Sequence, residues 1–248
     1  MKRTAPRSRG LPPPADVSRA GESHSARVTR ALGTSIVTGS HRQNELLPGD
    51  SELMQRFGVS RTVLREALKT LSAKGLIIAR ARIGTRVRDR SHWNFFDPDV
   101  LLWHAAGGVD RTFFHHLSEM RLALEPEAAA LASQRRTDQQ LEAIYDWADR
   151  MARSGGSPDD FVAADLQFHL AVAEAAANPF MHSVSTLIEV ALIEVLTLSS
   201  PAEDEALLAD NVAAHRAVAD AIRDRDADTA RSAMREVITA GLRRIDQP

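Results

Sequence analysis

The chain contains no cysteine. That excludes a disulfide framework, a thiolate metal site and a cysteine nucleophile. Aromatic residues are scarce, at 5% of 248 positions, and there is a single tyrosine. Long apolar runs are absent as well, because charges interrupt every one well before the roughly 18 residues a membrane span requires. Residues 1–23 mix Arg, Pro, Ser and Gly and lack the apolar core of a secretory signal. They are expected to form a disordered basic tail on a cytoplasmic protein with no membrane partner. What remains is globular in composition, 44% hydrophobic and 26% charged, and long enough for two domains.

Net charge is nearly absent too, at −2. The average conceals a division. Residues 1–93 carry 18 Lys and Arg against 7 Asp and Glu, a net +11, whereas 94–248 carry 13 against 26, a net −13. Charge asymmetry of this size points to a nucleic-acid or membrane module joined to something of another kind.

Helical spacing of Val28, Ala31, Leu32 and Ile36 predicts a first helix ended by Gly39. A polar loop, 40–47, leads to Pro48-Gly49-Asp50 and a second helix, closed by Gly58. Ser60 is a good N-cap for a third, with Leu64, Leu68 and Leu71 as its apolar stripe and Gly75 at its end. Two short strands, Leu76 to Ala79 and Thr85 to Arg88, flank a tip at Arg80 to Gly84. Three helices and a hairpin in this order have the layout of a winged helix-turn-helix, 24–92. A linker, 93–109, carries the aromatic anchors Trp93, Phe95 and Phe96 and a short helix near 99–106 closed by Gly107-Gly108. From 110 to 248 helical spacing takes over. Pro126 marks a kink point, Thr137 and Gln140 a capping box, and Ser157-Pro158 and Asn178-Pro179 two helix boundaries. The expected fold is mainly α: the winged domain, then an all-α antiparallel bundle of six or seven helices with the linker's included.

Arg61, Arg65 and Lys69 fall at i, i+4 and i+8, away from the leucine stripe. A recognition helix needs such an outward basic row, because arginine can hold guanine O6 and N7 together and the helix N-terminus favours phosphate. An ordinary solvated basic face is the plainer alternative, and the preceding turn and following wing argue against it. Leu47-Pro48, Phe57-Gly58-Val59-Ser60-Arg61-Thr62, Arg65-Glu66-Ala67-Leu68, Gly75-Leu76-Ile77 and Gly84-Thr85-x-Val87 together resemble the GntR family of bacterial transcription regulators. The resemblance implies that Arg61, Thr62 and Arg65, with Ser60 and Lys69 beside them, face operator DNA and that the wing near Gly84 approaches the backbone. Asp50 and Ser51 depart from the family's acidic-basic pair, so one arginine contact found in some relatives is absent.

A second constellation is Asp165-x-x-x-His169 with a distant His215. Spacing of i and i+4 puts carboxylate and imidazole on one helix face. One oxygen and two nitrogens suit a divalent zinc, nickel or manganese ion. A buried Asp–His hydrogen bond beside an unrelated histidine explains the same residues. Glu119-x-Arg121-x-x-x-Glu125-Pro126, Asp165-x-x-x-His169, Asn178-Pro179, His215 through Ala221-Ile222 and Asp226 through Met234 resemble the FCD effector domain of the FadR subfamily.

That resemblance implies a metal held by Asp165, His169 and His215, with a small carboxylate beside it. A third histidine would fall near 237, which is Val237. The metal would then be held less tightly, or the effector would bind without one. Arg121 is expected to clamp the effector carboxylate, the alternative being a pair with Glu125 one turn on. Asn178 reads first as a helix cap and is carried as an effector contact by the resemblance alone. The linker from Trp93 to Trp103 resembles that of the sugar-acid, galactonate-operon branch, which implies a sugar-acid effector. The leading expectation is a homodimeric repressor on a palindromic operator, released by a small carboxylate or sugar acid. A metal-dependent enzyme using Asp165, His169 and His215 is the alternative.

Overall fold

The computed structural model describes residues 22–80, 82–106 and 111–246. It divides into two units that meet in sequence between Trp93 and Asn94, where the charge division also falls. Most of the expected tail, the hairpin residue Ala81 and the stop Gly107-Gly108 lie outside the described residues. Glu22 and Ser23 lie within them and begin the first helix. Ser23 Oγ accepts from the Ala26 N–H at 3.1 Å, and Glu22 pairs with Arg30 at 2.8 Å.

The first unit holds α1 (His24–Val37), α2 (Asp50–Phe57), α3 (Arg61–Ala73), β1 (Ile77–Arg80) and β2 (Gly84–Val87). Val28, Leu32, Ile36, Leu53, Leu64 and Leu71 are sealed between the three helices. Full burial of each such side chain is worth about 1.5–3 kcal/mol. On α3 the inward stripe is Leu64, Ala67 and Leu71, while Leu68 is only half buried.

The strands form one residue away from the expected bounds, because Arg80 pairs with Gly84 and closes the hairpin over a three-residue tip. The polar loop is also more than a loop. Asn44 and Val87, Val87 and Glu45, and Leu47 and Thr85 are joined by backbone hydrogen bonds of 2.8–3.0 Å, so 44–47 lies along β2 through an isolated antiparallel bridge at Leu46–Arg86. Trp93 is buried in this unit, its indole N–H donating to the Arg88 carbonyl at 3.0 Å.

The second unit is all helix among the described residues: α4 (Pro98–Ala106), α5 (Arg111–Arg135), α6 (Asp138–Ala152), α7 (Pro158–Ala175), α8 (Pro179–Leu198), α9 (Glu205–Arg223) and α10 (Ala227–Asp246). The linker segment therefore contains α4, whose Val100, Leu101 and Trp103 are buried. Helix α10 packs on α5 and α9, α7 on α5, α6 and α8, and α6 on α9. The expected caps close as read: Thr137 and Gln140 form a capping box, and Ser157 and Asn178 cap α7 and α8 ahead of Pro158 and Pro179. Helix α7 is buried on nearly every side, with Phe161, Leu166, Phe168 and Val172 in the core. Any polar residue on such a helix needs a partner, because a buried unpaired charge is costly.

Candidate functional site

Each unit carries one candidate site. In the first, Gly58 takes the left-handed conformation at φ 63°, a geometry glycine adopts without strain, and so turns α2 into α3 within three residues. The Arg27 guanidinium donates to the Phe57 carbonyl at 3.1 Å and fixes the end of α2. Ser60 Oγ accepts from the Val63 N–H at 3.4 Å and starts α3. Ser60, Arg61, Thr62, Arg65, Lys69 and Gly84 are all exposed. Among the described residues Arg61, Arg65 and Lys69 make no internal ion pair, so their donors are available to a ligand. Gly84 lies at the wing beside exposed Arg80 and Arg82.

In the second unit, α5, α7 and α9 bring Arg121, Glu125, Asp165, His169 and His215 into one buried cluster, each 8% exposed or less. Asp165 Oδ1 lies 3.2 Å from His169 Nε2 and 3.1 Å from His215 Nε2. The outer nitrogen of each ring is also met. His215 Nδ1 is 2.8 Å from the Asn211 carbonyl. His169 Nδ1 is 2.6 Å from Glu125 Oε2, an oblique ion-pair contact and not an in-line hydrogen bond. Arg121 Nε donates to Glu125 Oε1 at 2.6 Å, and its Nη2 lies 3.1 Å from His169 Nε2. Phe168 stands edge-on to both imidazoles and closes one side.

The charges are strongly coupled. Burial alone would raise the Asp165 carboxyl, but His215 and His169 hold it well below the usual carboxylate range. Burial would also raise Glu125, yet Arg121 and His169 bring it down to about 2. Burial would lower His169; the adjacent Glu125 outweighs that, against opposition from Arg121, and lifts it to about 9. At neutral pH the cluster thus holds a guanidinium and an imidazolium against two carboxylates.

The donor set fits a divalent cation. One nitrogen from each histidine and a carboxylate oxygen lie within 4.8 Å of one another. His215 Nδ1 faces a backbone carbonyl, and Nε2 of both rings converges on the same Asp165 oxygen, an arrangement that a proton or a metal ion between them would hold together. Acceptors behind both ligand rings are the usual support of a histidine metal site. Val237 is buried on α10 and supplies no donor.

Arg121 forms the alternative pair read from the sequence, and its fork is committed to Glu125. Asn178 stands at the head of α8, its side-chain oxygen accepting from the Phe180 N–H at 3.0 Å. Glu125 has a larger place than the sequence reading gave it, bridging Arg121 and His169. The acceptor behind His215 is the backbone carbonyl of residue 211, one turn earlier on α9, which any residue at that position would supply.

Among the described residues no helix is long and apolar enough to cross a membrane. Residues 24–87 match the family described as bacterial regulatory proteins, gntR family, and 116–240 match the FCD domain. The chain is 35% identical over 201 residues to the uncharacterized HTH-type transcriptional regulator YieP of Escherichia coli, spanning 80% of this chain and 85% of the relative. It is 32% identical over 221 residues to the galactonate operon transcriptional repressor of the same organism, spanning 89% and 96%. The transcriptional repressor NanR of Cronobacter sakazakii is 32% identical over 201 residues, spanning 77% and 74%. In fold it resembles the solved Lar protein, which controls the Listeria monocytogenes agr system, with a TM-score of 0.60 over 90% of this chain and 97% of that one at 19% identity. These relatives are regulators, so the metal-dependent enzyme finds no support, and the buried cluster lies within the span that matches the FCD domain. With a free basic row on the third helix of its winged unit and an FCD domain behind it, the chain belongs to the GntR family of DNA-binding transcription regulators.

Proposed function

We propose that the protein is a cytoplasmic homodimer that represses from a palindromic operator and releases it when a small carboxylate, of the sugar-acid class, enters the helical unit. A lone recognition helix reads only a few base pairs, so two heads on two half-sites are needed for useful specificity. Ser60, Arg61, Thr62, Arg65 and Lys69 face the groove, and Gly84 lets the wing approach the backbone closely.

The observation that carries the effector reading is the buried cluster of Arg121, Glu125, Asp165, His169 and His215. Buried charge on this scale is an uneconomical way to hold helices together, since apolar residues would often do as well or better. Asp165, His169 and His215 would hold a divalent cation of the zinc, nickel or manganese kind, which supplies positive charge and open coordination positions. Binding it requires His169 to give up its proton, and the buried charges then sum to +1, which favours an anionic ligand. The galactonate repressor's name indicates which acid to try first. Asn178 serves as a helix cap, and Arg121 orients His169 through Glu125.

The test is fluorescence anisotropy on a duplex selected from random DNA by the full chain. Galactonate should dissociate the complex, and a chelator should weaken that response. Failure of every sugar acid and dicarboxylate to change DNA affinity would overturn the effector reading.

A further inference from the structure

We infer that Arg244, and not Arg121, is the group that holds the effector's carboxylate. The inference rests on the effector reading above and names the side chain that recognises the acid. Four arginines of the helical unit are drawn away from solvent among the described residues: Arg121, Arg136, Arg231 and Arg244. The first three each hold a carboxylate, from Glu125, Asp138 and Glu127 respectively. Among the described residues Arg244 has no carboxylate within ion-pair distance. Its Nε donates to the Ser199 carbonyl at the end of α8, at 2.6 Å, and its two terminal nitrogens make no hydrogen bond to any described residue. Burial works against its charge, and the charge acting in its favour is that of Asp165, so the guanidinium lies within electrostatic reach of the cluster.

The register of α10 explains how it gets there. Val237, Gly241 and Arg244 are spaced i, i+4 and i+7, on one face of a helix that packs on α5 and α9. Helical side chains lean toward the N-terminus, so Arg244 runs back over the preceding turn. The residue in that turn is Gly241, where a Cβ would stand 3.8 Å from Arg244 Nη2. The guanidinium thus lies along the helix within van der Waals reach of the Gly241 backbone.

Arg121 and the His169 imidazolium are already balanced by Glu125 and Asp165. An incoming carboxylate therefore needs a cation not yet spent. Arg244 presents its terminal donors in the geometry carboxylates prefer. The remaining hydroxyls of a sugar acid would face the Asp165–His215 side. Arg244 lies four residues beyond the 116–240 span matched by the FCD domain.

Calorimetric titration of the full chain separates this role from simple capping of α8. The probes are galactonate, gluconate, citrate and the uncharged amide of galactonate, each with zinc and with a chelator. The wild type should prefer the acid to the amide. Arg244→Gln should weaken acid binding at least about tenfold and leave the amide unchanged, since removing one partner of a hydrogen-bonded charge pair costs that much or more. Arg244→Lys should recover part of the loss. An Arg244→Gln protein that keeps its preference for acid over amide overturns the assignment alone. So does an equal loss for acid and amide with a lowered melting temperature, which is the signature of a helix cap. A wild type that binds none of the acids overturns both this assignment and the effector reading.

Discussion

Arg65 makes no ion pair within the described protein, and so its whole guanidinium fork is left for a ligand. Arg65→Ala should lower operator affinity by about 1–3 kcal/mol and relax the base preference at one position. Anisotropy on the selected operator and on a scrambled duplex checks this, and an equal loss on both would reduce Arg65 to a phosphate contact. His169 makes a prediction of the opposite kind, about pH. Its folded value, about 9, lies above its usual 6.5, so the stability it contributes is complete below 6.5 and is lost as pH rises toward 9. Glu125, held at about 2, contributes above its usual 4.5 and is lost only in strong acid. In the presence of chelator the melting temperature should therefore fall between pH 6.5 and 9, and His169→Gln should flatten that slope. A wild-type midpoint unchanged over this range would show that the imidazolium is not the state that holds the cluster together.

The elements most legible in the sequence are those fixed by their own ends. Ser60, Thr137 and Ser157 cap the helices assigned to them because a cap is settled by the next three residues. The bridge that 44–47 makes to β2 was not legible, since the segment shows no alternation and is held only by hydrogen bonds to that strand. Leu68 drew the eye as part of a leucine stripe, while the smaller Ala67 is the residue fully buried. Within the site, Asp165 and His169 could be paired on spacing, but the link from Glu125 to His169 spans two helices and has no local trace. Glycines at turns were read as helix stops, and two of them differ in a measurable way. Gly39 and Gly75 have similar φ, 81° and 79°. A Cβ at Gly39 would meet nothing within 4 Å, whereas at Gly75 it would run into the His92 carbonyl. Gly39→Ala should cost only the strain of a left-handed alanine, about 1 kcal/mol. Gly75→Ala adds a backbone collision and should cost at least about 1–3 kcal/mol more. Urea unfolding measures both, and equal midpoints would mean that the chain after the wing yields without cost.

Across the whole molecule, charge divides where the units divide, +11 against −13 on either side of Trp93. The basic unit gains affinity for DNA by releasing its counterions, a contribution that does not depend on sequence and fades with salt. The acidic unit adds nothing to it and is repelled by the duplex, which leaves the winged unit as the face that DNA meets. Regulation then requires that two chemically unlike sites share one free energy. If an acid in the helical unit weakens DNA binding by some factor, DNA must weaken acid binding by the same factor, because the states are connected in a closed cycle. Couplings of this kind commonly fall between about 5- and 150-fold. Titrating galactonate into the free protein and into the protein saturated with operator should give two affinities whose ratio equals the ratio of operator affinities with and without galactonate. The measurement belongs at fixed salt, since the electrostatic part of DNA binding would otherwise shift beneath it. Identical acid affinities in the two titrations would mean that the acid site and the DNA-reading helix are not coupled, however well each is formed.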